Sequence, residues 1–339
     1  MNIHEVAEAA GVSVATVSRV INHPEIVAEK TRERVLAVLK RTSYAANAEP
    51  RSRRARKKHA IALILPSLIE YPNVHAGVRA IAALRNCGVQ LCLTGYDEAD
   101  AARNIRALAA QQIDGAILAM DSGAGAAAGK LREAGIPVVL IGGRRSPGDE
   151  NMCYINYQQS AHKLAQYAAD TGNASAVLLL DRQDSDVKAS LLEGFRQAWT
   201  AAGRPESTLL QAECEPGVQG GYQAACELIE GGAPALIVAQ YDVMAAGVLK
   251  AAAEKRVAVP RQLRVIGFHD GPVSTALQPE LTSVEQPTYR LGIAAARWLF
   301  DILEDQEYFD IEAQEIVLKG RIRIRRSCGN RKTIYELYE

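Results

Sequence analysis

Between Gly11 and Asn22 the chain concentrates side chains that hydrogen-bond to nucleic acid. Arg19 carries a guanidinium, which can donate to O6 and N7 of one guanine at the same time. Short hydroxyl and amide side chains suit phosphate oxygens, and this segment supplies Ser13, Thr16, Ser18 and Asn22. Val14 and Ala15 have no hydrogen-bonding side chains, so they can sense only thymine methyl groups or groove shape. These residue types predict recognition of a DNA major groove.

Two short helices separated by a tight turn must position these side chains. Apolar residues recur at helical spacing on both sides of the turn, at Ile3, Val6, Ala10, Val17, Val20 and Ile21. Gly11 ends the first helix, because glycine takes a left-handed conformation at little cost. Ser13 is placed to cap the second helix, which we expect to run from Ser13 to Ile21. Ala7 and Val17 are small where two steeply crossing helices must approach, and this pattern predicts a helix-turn-helix.

A third helix is predicted from about Glu29 to Thr42. Its apolar residues Val35, Leu36 and Leu39 are expected to pack on the first two helices. An incidental pair of amphipathic helices is the alternative interpretation of the whole N-terminal pattern.

Charge is distributed unevenly along a chain whose net charge is zero. Residues 1–58 hold 12 Lys and Arg against 6 acids, and residues 59–339 hold 27 against 33. A basic head on an acidic body indicates a polyanionic partner. Six of the eight residues from Arg51 to Lys58 are cationic. This segment is either a solvated tether or, as we favour, an arm that contacts phosphates or a narrow minor groove.

Residues 2–44 resemble the DNA-binding headpiece of the LacI/GalR family, through HEVAEAAGVSVATVSRVIN and the following VAEKTRERVLAVL. The resemblance implies that a hinge helix follows Tyr44 and wedges a leucine into the minor groove. Here Asn47 and Arg51 fit the hinge pattern, while Ala46, Pro50 and Arg53 depart from it. A guanidinium cannot act as an apolar wedge. The residues expected at DNA in this segment are Asn47, Arg51, Arg53 and Arg54.

From residue 59 onward, near-continuous apolar strands alternate with helices, which predicts parallel sheets buried on both faces. Strands are predicted at 61–65, 89–93, 114–120, 136–142, 176–180, 208–212, 235–239 and 263–268. Helices are predicted at 74–87, 99–111, 158–171, 187–202, 218–230 and 243–255. The fold class is therefore α/β: an all-α headpiece at 1–58, followed by a two-lobed body of doubly wound sheets at 59–339. Lobe 1 is expected at about 60–156 and 288–310, and lobe 2 at about 157–285 and 311–330.

The body also resembles the effector-binding core of the same family, itself similar to periplasmic sugar-binding proteins, through AGIPVVLIG, PALIVAQYDVMAAGVL and VPRQLRVIGF. Ligands of such folds lie beyond the carboxyl ends of the strands, here between the lobes. The resemblance implies an effector site at Asn73, Leu191, Tyr241, Asp242 and His269. Leu191 replaces a family arginine, Tyr241 an asparagine and His269 an aspartate, which argues against a neutral hexose.

The GFH sequence, the LPSL after the first strand and the hinge proline resemble the gluconate-repressor branch of the family. A sugar acid is the effector that this resemblance implies. The candidates for binding its carboxylate are His269, Arg144 and Lys188. A structural histidine at the end of a strand is the alternative for His269.

No catalytic motif is present: the chain lacks a phosphate loop, a GxSxG elbow, HExxH and paired carboxylates near a histidine. The six cysteines form no CxxC pair and have no histidine at metal spacing, so we expect reduced thiols and no metal or cofactor. No apolar run is long enough to cross a bilayer, and no export signal opens the chain. A cytoplasmic protein that is not an enzyme is expected.

These observations together predict a homodimeric, sequence-specific transcriptional regulator, expected to be a repressor. Its partners are a pseudo-palindromic double-stranded operator and a small-molecule effector, a sugar or sugar acid. Two alternatives stay open. One is a DNA-binding regulator whose degenerate pocket answers to a protein partner, and the other is a sugar-modifying enzyme fused to a DNA-binding head.

Replacing Arg53, Arg54, Lys57 and Lys58 together by alanine tests the cationic arm. If the arm binds phosphates, the slope of log K against log[salt] becomes shallower by about 0.9 for each phosphate that the variant no longer neutralises. The measurement is operator affinity between low and physiological salt. An unchanged slope would show that the arm does not bind DNA.

Overall fold

A computed structural model describes residues 7, 9–13, 16–17, 20, 27–41, 60–95, 97–111, 113–119, 124–142, 152–232, 234–304 and 315–329. The chain divides into two compact units, Met1–Lys58 and His59–Glu339. Among the described residues, no helix combines the length and the apolar character needed to cross a membrane.

Small apolar side chains form the core of the first unit: Ala7, Ala10, Val17, Val20, Val35 and Val38. Gly11 has a φ of 63°, the left-handed conformation that glycine allows at the end of a helix. The helix predicted from about Glu29 to Thr42 is observed at Glu29–Arg41 and is labelled α1. Val38, rather than the predicted Leu36, accompanies Val35 in the core, since Leu36 is 41% exposed. The predicted packing of the Leu39 side chain lies outside the described residues.

The second unit alternates strands and helices along the chain. Its strands are β1 (Ala60–Leu65), β2 (Gly88–Leu93), β3 (Gly115–Leu118), β4 (Val138–Gly142), β5 (Met152–Ile155), β6 (Ala176–Asp181), β7 (Leu209–Cys214), β8 (Leu236–Ala239), β9 (Arg264–His269), β10 (Thr282–Glu285), β11 (Glu315–Leu318) and β12 (Arg321–Arg323). Its helices are α2 (Val74–Leu84), α3 (Glu98–Ala110), α4 (Ala124–Glu133), α5 (Tyr157–Asp170), α6 (Asp186–Ala201), α7 (Val218–Glu230), α8 (Asp242–Glu254), α9 (Val273–Ala276) and α10 (Thr288–Glu304).

The strands form two sheets, one in each lobe. The first has the order β11-β5-β4-β3-β1-β2 and the second β12-β10-β9-β8-β6-β7. The first is parallel throughout, whereas β12 pairs antiparallel with β10 in the second. Both have the doubly wound arrangement that the alternating pattern predicted, with the carboxyl ends of the central strands at one edge.

Local sequence explains where several helices begin. Asp97 caps α3 by accepting from the Asp100 N–H, and Asn156 caps α5 through the Gln159 N–H. Ser185 caps α6 by accepting from the Lys188 N–H. Such caps satisfy N–H groups that the first turn of a helix leaves without partners.

Within the described residues, three short connections join the lobes. Asn156 alone separates β5 from α5, Gln286–Pro287 separate β10 from α10, and Lys319–Gly320 separate β11 from β12. The first and third connections touch, because the Asn156 N–H donates to the Leu318 carbonyl at 2.9 Å. One apolar core continues from lobe 1 into lobe 2 past these connections.

The predicted lobe boundaries are wrong at one strand. The sequence pattern places residues 311–330 in lobe 2, but Glu315–Leu318 pairs in parallel with Met152–Ile155 in the sheet of lobe 1. Only Arg321–Arg323 joins the second sheet. The chain therefore changes lobes at Lys319–Gly320, a position that strand periodicity alone does not mark.

Helices α2 and α10 of lobe 1 cross at two glycines. A Cβ atom at Gly77 would overlap the Tyr289 carbonyl oxygen, and one at Gly292 would overlap the Val74 carbonyl oxygen. Because glycine has no side chain, the two backbones can touch. This close approach holds the starts of both helices side by side.

Gly292→Ala should therefore lower the free energy of unfolding by about 1–3 kcal/mol, because the new methyl group must push two helices apart. Chemical denaturation measures the change. Gly129→Ala on α4 is the matched control, since a Cβ there meets open space. It should raise stability by up to about 1 kcal/mol. Equal effects of the two substitutions would contradict close packing at Gly292.

Candidate nucleic-acid interface and ligand cleft

The turn of the first unit is held by hydrogen bonds around Ser13. Its hydroxyl accepts from the Thr16 N–H at 3.2 Å and also bonds the Thr16 hydroxyl at 2.9 Å. The Val12 N–H donates to the Ala7 carbonyl across the turn. Ser13 is exposed and Thr16 half-buried. The geometry is that of a capped helix start beside a glycine turn, as a helix-turn-helix requires.

The other predicted DNA-binding residues fall outside the described residues. They are Val14, Ala15, Ser18, Arg19, Asn22, Asn47, Arg51, Arg53 and Arg54. Their roles at DNA stay predictions. The apolar residues that alternate with them, Val17 and Val20, are buried at 0% and 3% exposure.

A cleft of about 260 Å³ opens beside the connections between the lobes of the second unit. Its lining residues come from the loop before α2, the end of β9, the second and third connections, and the start of α10. They are Pro72, Asn73, His269, Asp270, Gly271, Glu285, Gln286, Pro287, Thr288, Tyr289, Arg290, Lys319 and Arg321. The cleft lies beyond the carboxyl end of β9, where open α/β sheets bind ligands.

His269 is the most enclosed of the predicted effector residues that line this cleft. Its ring lies among Tyr241, Tyr157 and Phe268, with centroid distances of 5.4, 6.1 and 5.9 Å. Nδ1 pairs with the Phe268 carbonyl. The backbone is strained here, because His269 and Asp270 have φ values of 137° and 55°, which residues with a Cβ rarely adopt.

Burial lowers the pKa of His269 below its ordinary value of 6.5, although the nearby Asp242 carboxylate raises it in part. A neutral imidazole donates or accepts hydrogen bonds but carries no charge to attract a carboxylate. The environment of His269 therefore favours hydrogen bonding over the cationic role proposed from the sequence.

Asp242, at the start of α8, ties the ends of three strands together. Its carboxylate accepts from the Gly271 N–H at 2.6 Å and from the Ser283 hydroxyl at 2.5 Å. Burial raises the pKa of this carboxyl group, while the bonds from Ser283 and Gly271 oppose that rise. Both oxygens of Asp242, which the sequence placed in the effector site, therefore already have partners within the protein.

Asn73 and Tyr241 form other parts of the surroundings. Asn73 lines the cleft and precedes α2 in the left-handed conformation, with no hydrogen bond from its side chain to the helix start. Tyr241 is 2% exposed, and its hydroxyl accepts from the Gln240 amide at 3.0 Å. Asn73 thus offers an amide to the cleft, whereas Tyr241 supports the His269 ring.

Two further predicted residues lie elsewhere, and one is not described. Lys188 Nζ donates to Glu213 at 2.7 Å and to Asp184 at 3.1 Å. Burial works to lower the pKa of Lys188, but these carboxylates raise it overall. Leu191 is fully buried in the apolar core. Neither is among the lining residues of the cleft, and Arg144 lies outside the described residues.

Sequence reasoning missed the cleft residues that follow β10 and β11. Gln286 is 4% exposed, and in the part of the chain that the structure describes its amide nitrogen and oxygen have no hydrogen-bond partner. Lys319 and Arg321 flank the glycine of the third connection. The signal that could have found them was the EQP sequence together with the alternating cations in LKGRIRIRR, both close to predicted boundaries.

Comparisons with known proteins agree with both units. The family model "Bacterial regulatory proteins, lacI family" matches residues 2–47, and "Periplasmic binding protein-like domain" matches residues 165–328. Catabolite control protein A of Streptococcus mutans is 31% identical over 330 residues, covering 96% of this chain and 97% of that protein. The chain belongs to the LacI family.

Two further proteins are similar to this LacI-family regulator over nearly its whole length. Catabolite control protein A of Priestia megaterium is 28% identical over 331 residues, covering 96% of this chain and 99% of that protein. A solved structure of the transcriptional regulator CelR in complex with cellobiose is 27% identical, with a TM-score of 0.68, covering 96% of this chain and 99% of that one. The family, the fold class and a DNA-binding regulatory function, predicted from the sequence, are confirmed.

Stability at mildly acidic pH should depend on His269. A lowered pKa means that protonation favours the unfolded chain, so stability is present above pH 6.5 and is lost as pH falls below it. His269→Gln should flatten this loss, with a difference in slope of up to about 1.4 kcal/mol per pH unit. The measurement is the free energy of unfolding between pH 7.5 and 5. Parallel curves for wild type and His269→Gln, with exposed His75→Gln as control, would contradict a buried neutral imidazole.

Proposed function

We propose that this LacI-family regulator binds a two-fold symmetric operator as a homodimer and releases or engages it in response to a small molecule in the cleft. The observation that carries the proposal is the cleft itself, which lies beside the connections between the lobes and is lined from both. A ligand bound there touches groups whose relative positions change when the lobes rotate. Ligand binding then favours one lobe angle over others. We propose that the lobe angle in turn sets the spacing of the two headpieces in the dimer.

Exposed apolar side chains on lobe 1 support the dimer. Leu84 at the end of α2 is 77% exposed, and Leu91 and Leu93 on the edge strand β2 are 41% and 49% exposed. Several large apolar side chains exposed on one lobe are typical of a surface that a partner covers. A second copy covering this face would pair the chains by a two-fold axis, as a palindromic operator requires.

The effector we propose is a sugar or sugar acid. The structure of CelR contains cellobiose, and the cleft of this chain offers amide, charged and backbone N–H groups, which suit hydroxyl-rich ligands. We further propose repression, a cytoplasmic location and no catalytic turnover. The relatives are regulators by name.

Arg19→Ala tests DNA reading. Selection from a random DNA duplex pool with the wild-type protein should return two similar half-sites in inverted order. Arg19→Ala should then bind the selected operator about 10-fold to 100-fold more weakly and lose preference for one guanine per half-site. Gel-shift titration at fixed salt measures the affinity, with Arg261→Gln as a control in the second unit. Uniform weakening at all sequences would place Arg19 at phosphate instead.

A further inference from the structure

We infer that the effector is anionic, and that its carboxylate or phosphate group is held by Arg290, Lys319 and Arg321 at the second and third connections. The inference rests on the proposed function, because it names the class of ligand that the same cleft takes. It differs from the prediction made from sequence, which assigned the carboxylate to His269, Arg144 or Lys188.

The side chains of the three cations line the cleft and have no partners among the described residues. No ion pair or hydrogen bond joins any of these side chains to another described residue, and all three residues are exposed. The two acids of the lining are already neutralised. The Asp270 carboxylate accepts two hydrogen bonds from the Arg325 guanidinium, at 2.5 and 3.1 Å. The Glu285 carboxylate accepts from Arg323 Nε at 2.7 Å. The remaining charge of the lining is positive.

Backbone dipoles add to this charge. Helix α10 spans 17 residues and begins in the lining at Thr288, with no acid in its first turn. The Thr288 N–H donates to the Gln286 carbonyl and the Leu291 N–H donates to the Pro287 carbonyl. Within the described residues, the Tyr289 and Arg290 N–H groups have no main-chain acceptor outside the helix. Helix α2 begins beside it at the cleft, also without an acid in its first turn. Two adjacent helix starts favour an anion between or before them.

A buried amide in the same cleft also indicates a ligand site, independently of the cations and the helix starts. Gln286 lines the cleft at 4% exposure, yet its amide nitrogen and oxygen have no hydrogen-bond partner among the described residues. An unsatisfied buried amide costs stability, and in native proteins it is commonly a group that another molecule engages. An amide donates to one hydroxyl and accepts from another. Cations beside such an amide fit a carbon chain that carries hydroxyls and one terminal anion.

The volume of the cleft limits the size of this ligand. At about 260 Å³ it lies below the range of roughly 300–1,000 Å³ that is usual for small-molecule sites. A single sugar unit with one acidic group is therefore the class that we infer: an aldonate or a monosaccharide phosphate.

The same geometry links the anion to the switch. Lys319 and Arg321 flank Gly320, where a Cβ would lie 2.7 Å from both Gln286 Oε1 and Ser160 Oγ. The second and third connections and the start of α5 therefore meet at one point. An anion bound by Arg290 from lobe 1 and Arg321 from lobe 2 bridges these connections. It stabilises one angle between the lobes over others.

Isothermal titration calorimetry of the full-length protein tests the inference with glucose, gluconate, glucose 6-phosphate and inorganic phosphate. We expect gluconate or glucose 6-phosphate to bind at least tenfold more tightly than glucose, and the better of the two identifies carboxylate or phosphate. Lys319→Gln combined with Arg321→Gln should weaken that ligand by about tenfold to a hundredfold. Arg261→Gln, which removes an exposed cation outside the lining, should leave the affinity unchanged.

Three results would overturn the anionic site: glucose binding as tightly as both acids, no binding of either acid, or equal ligand affinity in wild type and the double variant. All three cations are exposed, so thermal unfolding of the variants should match wild type; if the double variant is unstable, Arg290→Gln alone carries the test. Operator affinity measured with the bound acid separates the two proposals. An acid that binds through these cations without changing operator affinity contradicts the proposed function and leaves the anionic site standing.

Discussion

Three connections of one or two residues each constrain how the lobes of the second unit can move. A connection as short as Asn156, Gln286–Pro287 or Lys319–Gly320 cannot absorb a large displacement, so a hinge rotation at the connections is the motion they allow. The continuous apolar core beside them opposes separation of the lobes. A ligand in the adjacent cleft lies close to this axis and touches the connections themselves.

The wall of the cleft that lobe 2 provides is held by a different set of interactions. Positive φ values at His269 and Asp270 are unfavourable for these residue types, and persist because neighbours over-determine them. The Asp242 carboxylate accepts from the N–H of Gly271, the residue after Asp270. The Arg325 guanidinium donates two hydrogen bonds to the Asp270 carboxylate. These bonds fix the end of β9. We therefore expect a ligand in the cleft to act mainly on the connections and on the loop before α2.

Electrostatics divides the protein into two functional parts. The first unit carries the positive excess, which suits DNA, while the body is acidic as a whole yet has a cationic lining in its cleft. The local sign in the cleft opposes that of the body because Asp270 and Glu285 are neutralised by arginines of β12 and the segment after it. A LacI-family regulator can thus attract DNA to one unit and a small anion to the other.

The sequence by itself determined the elements and the family. Buried strands such as Ala60–Leu65 and helix starts such as Ser13 follow from local periodicity and capping, which depend on neighbours along the chain. Only the tertiary structure decided which polar groups share the cleft. Lys188 and His269 both suited a carboxylate by residue type, but Lys188 is paired with Glu213 and His269 is buried. Gln286, Lys319 and Arg321 come together from two connections, because the chain crosses between lobes there. Sequence periodicity does not reveal such crossings, because they bring together residues that are distant in sequence and belong to no single helix or strand.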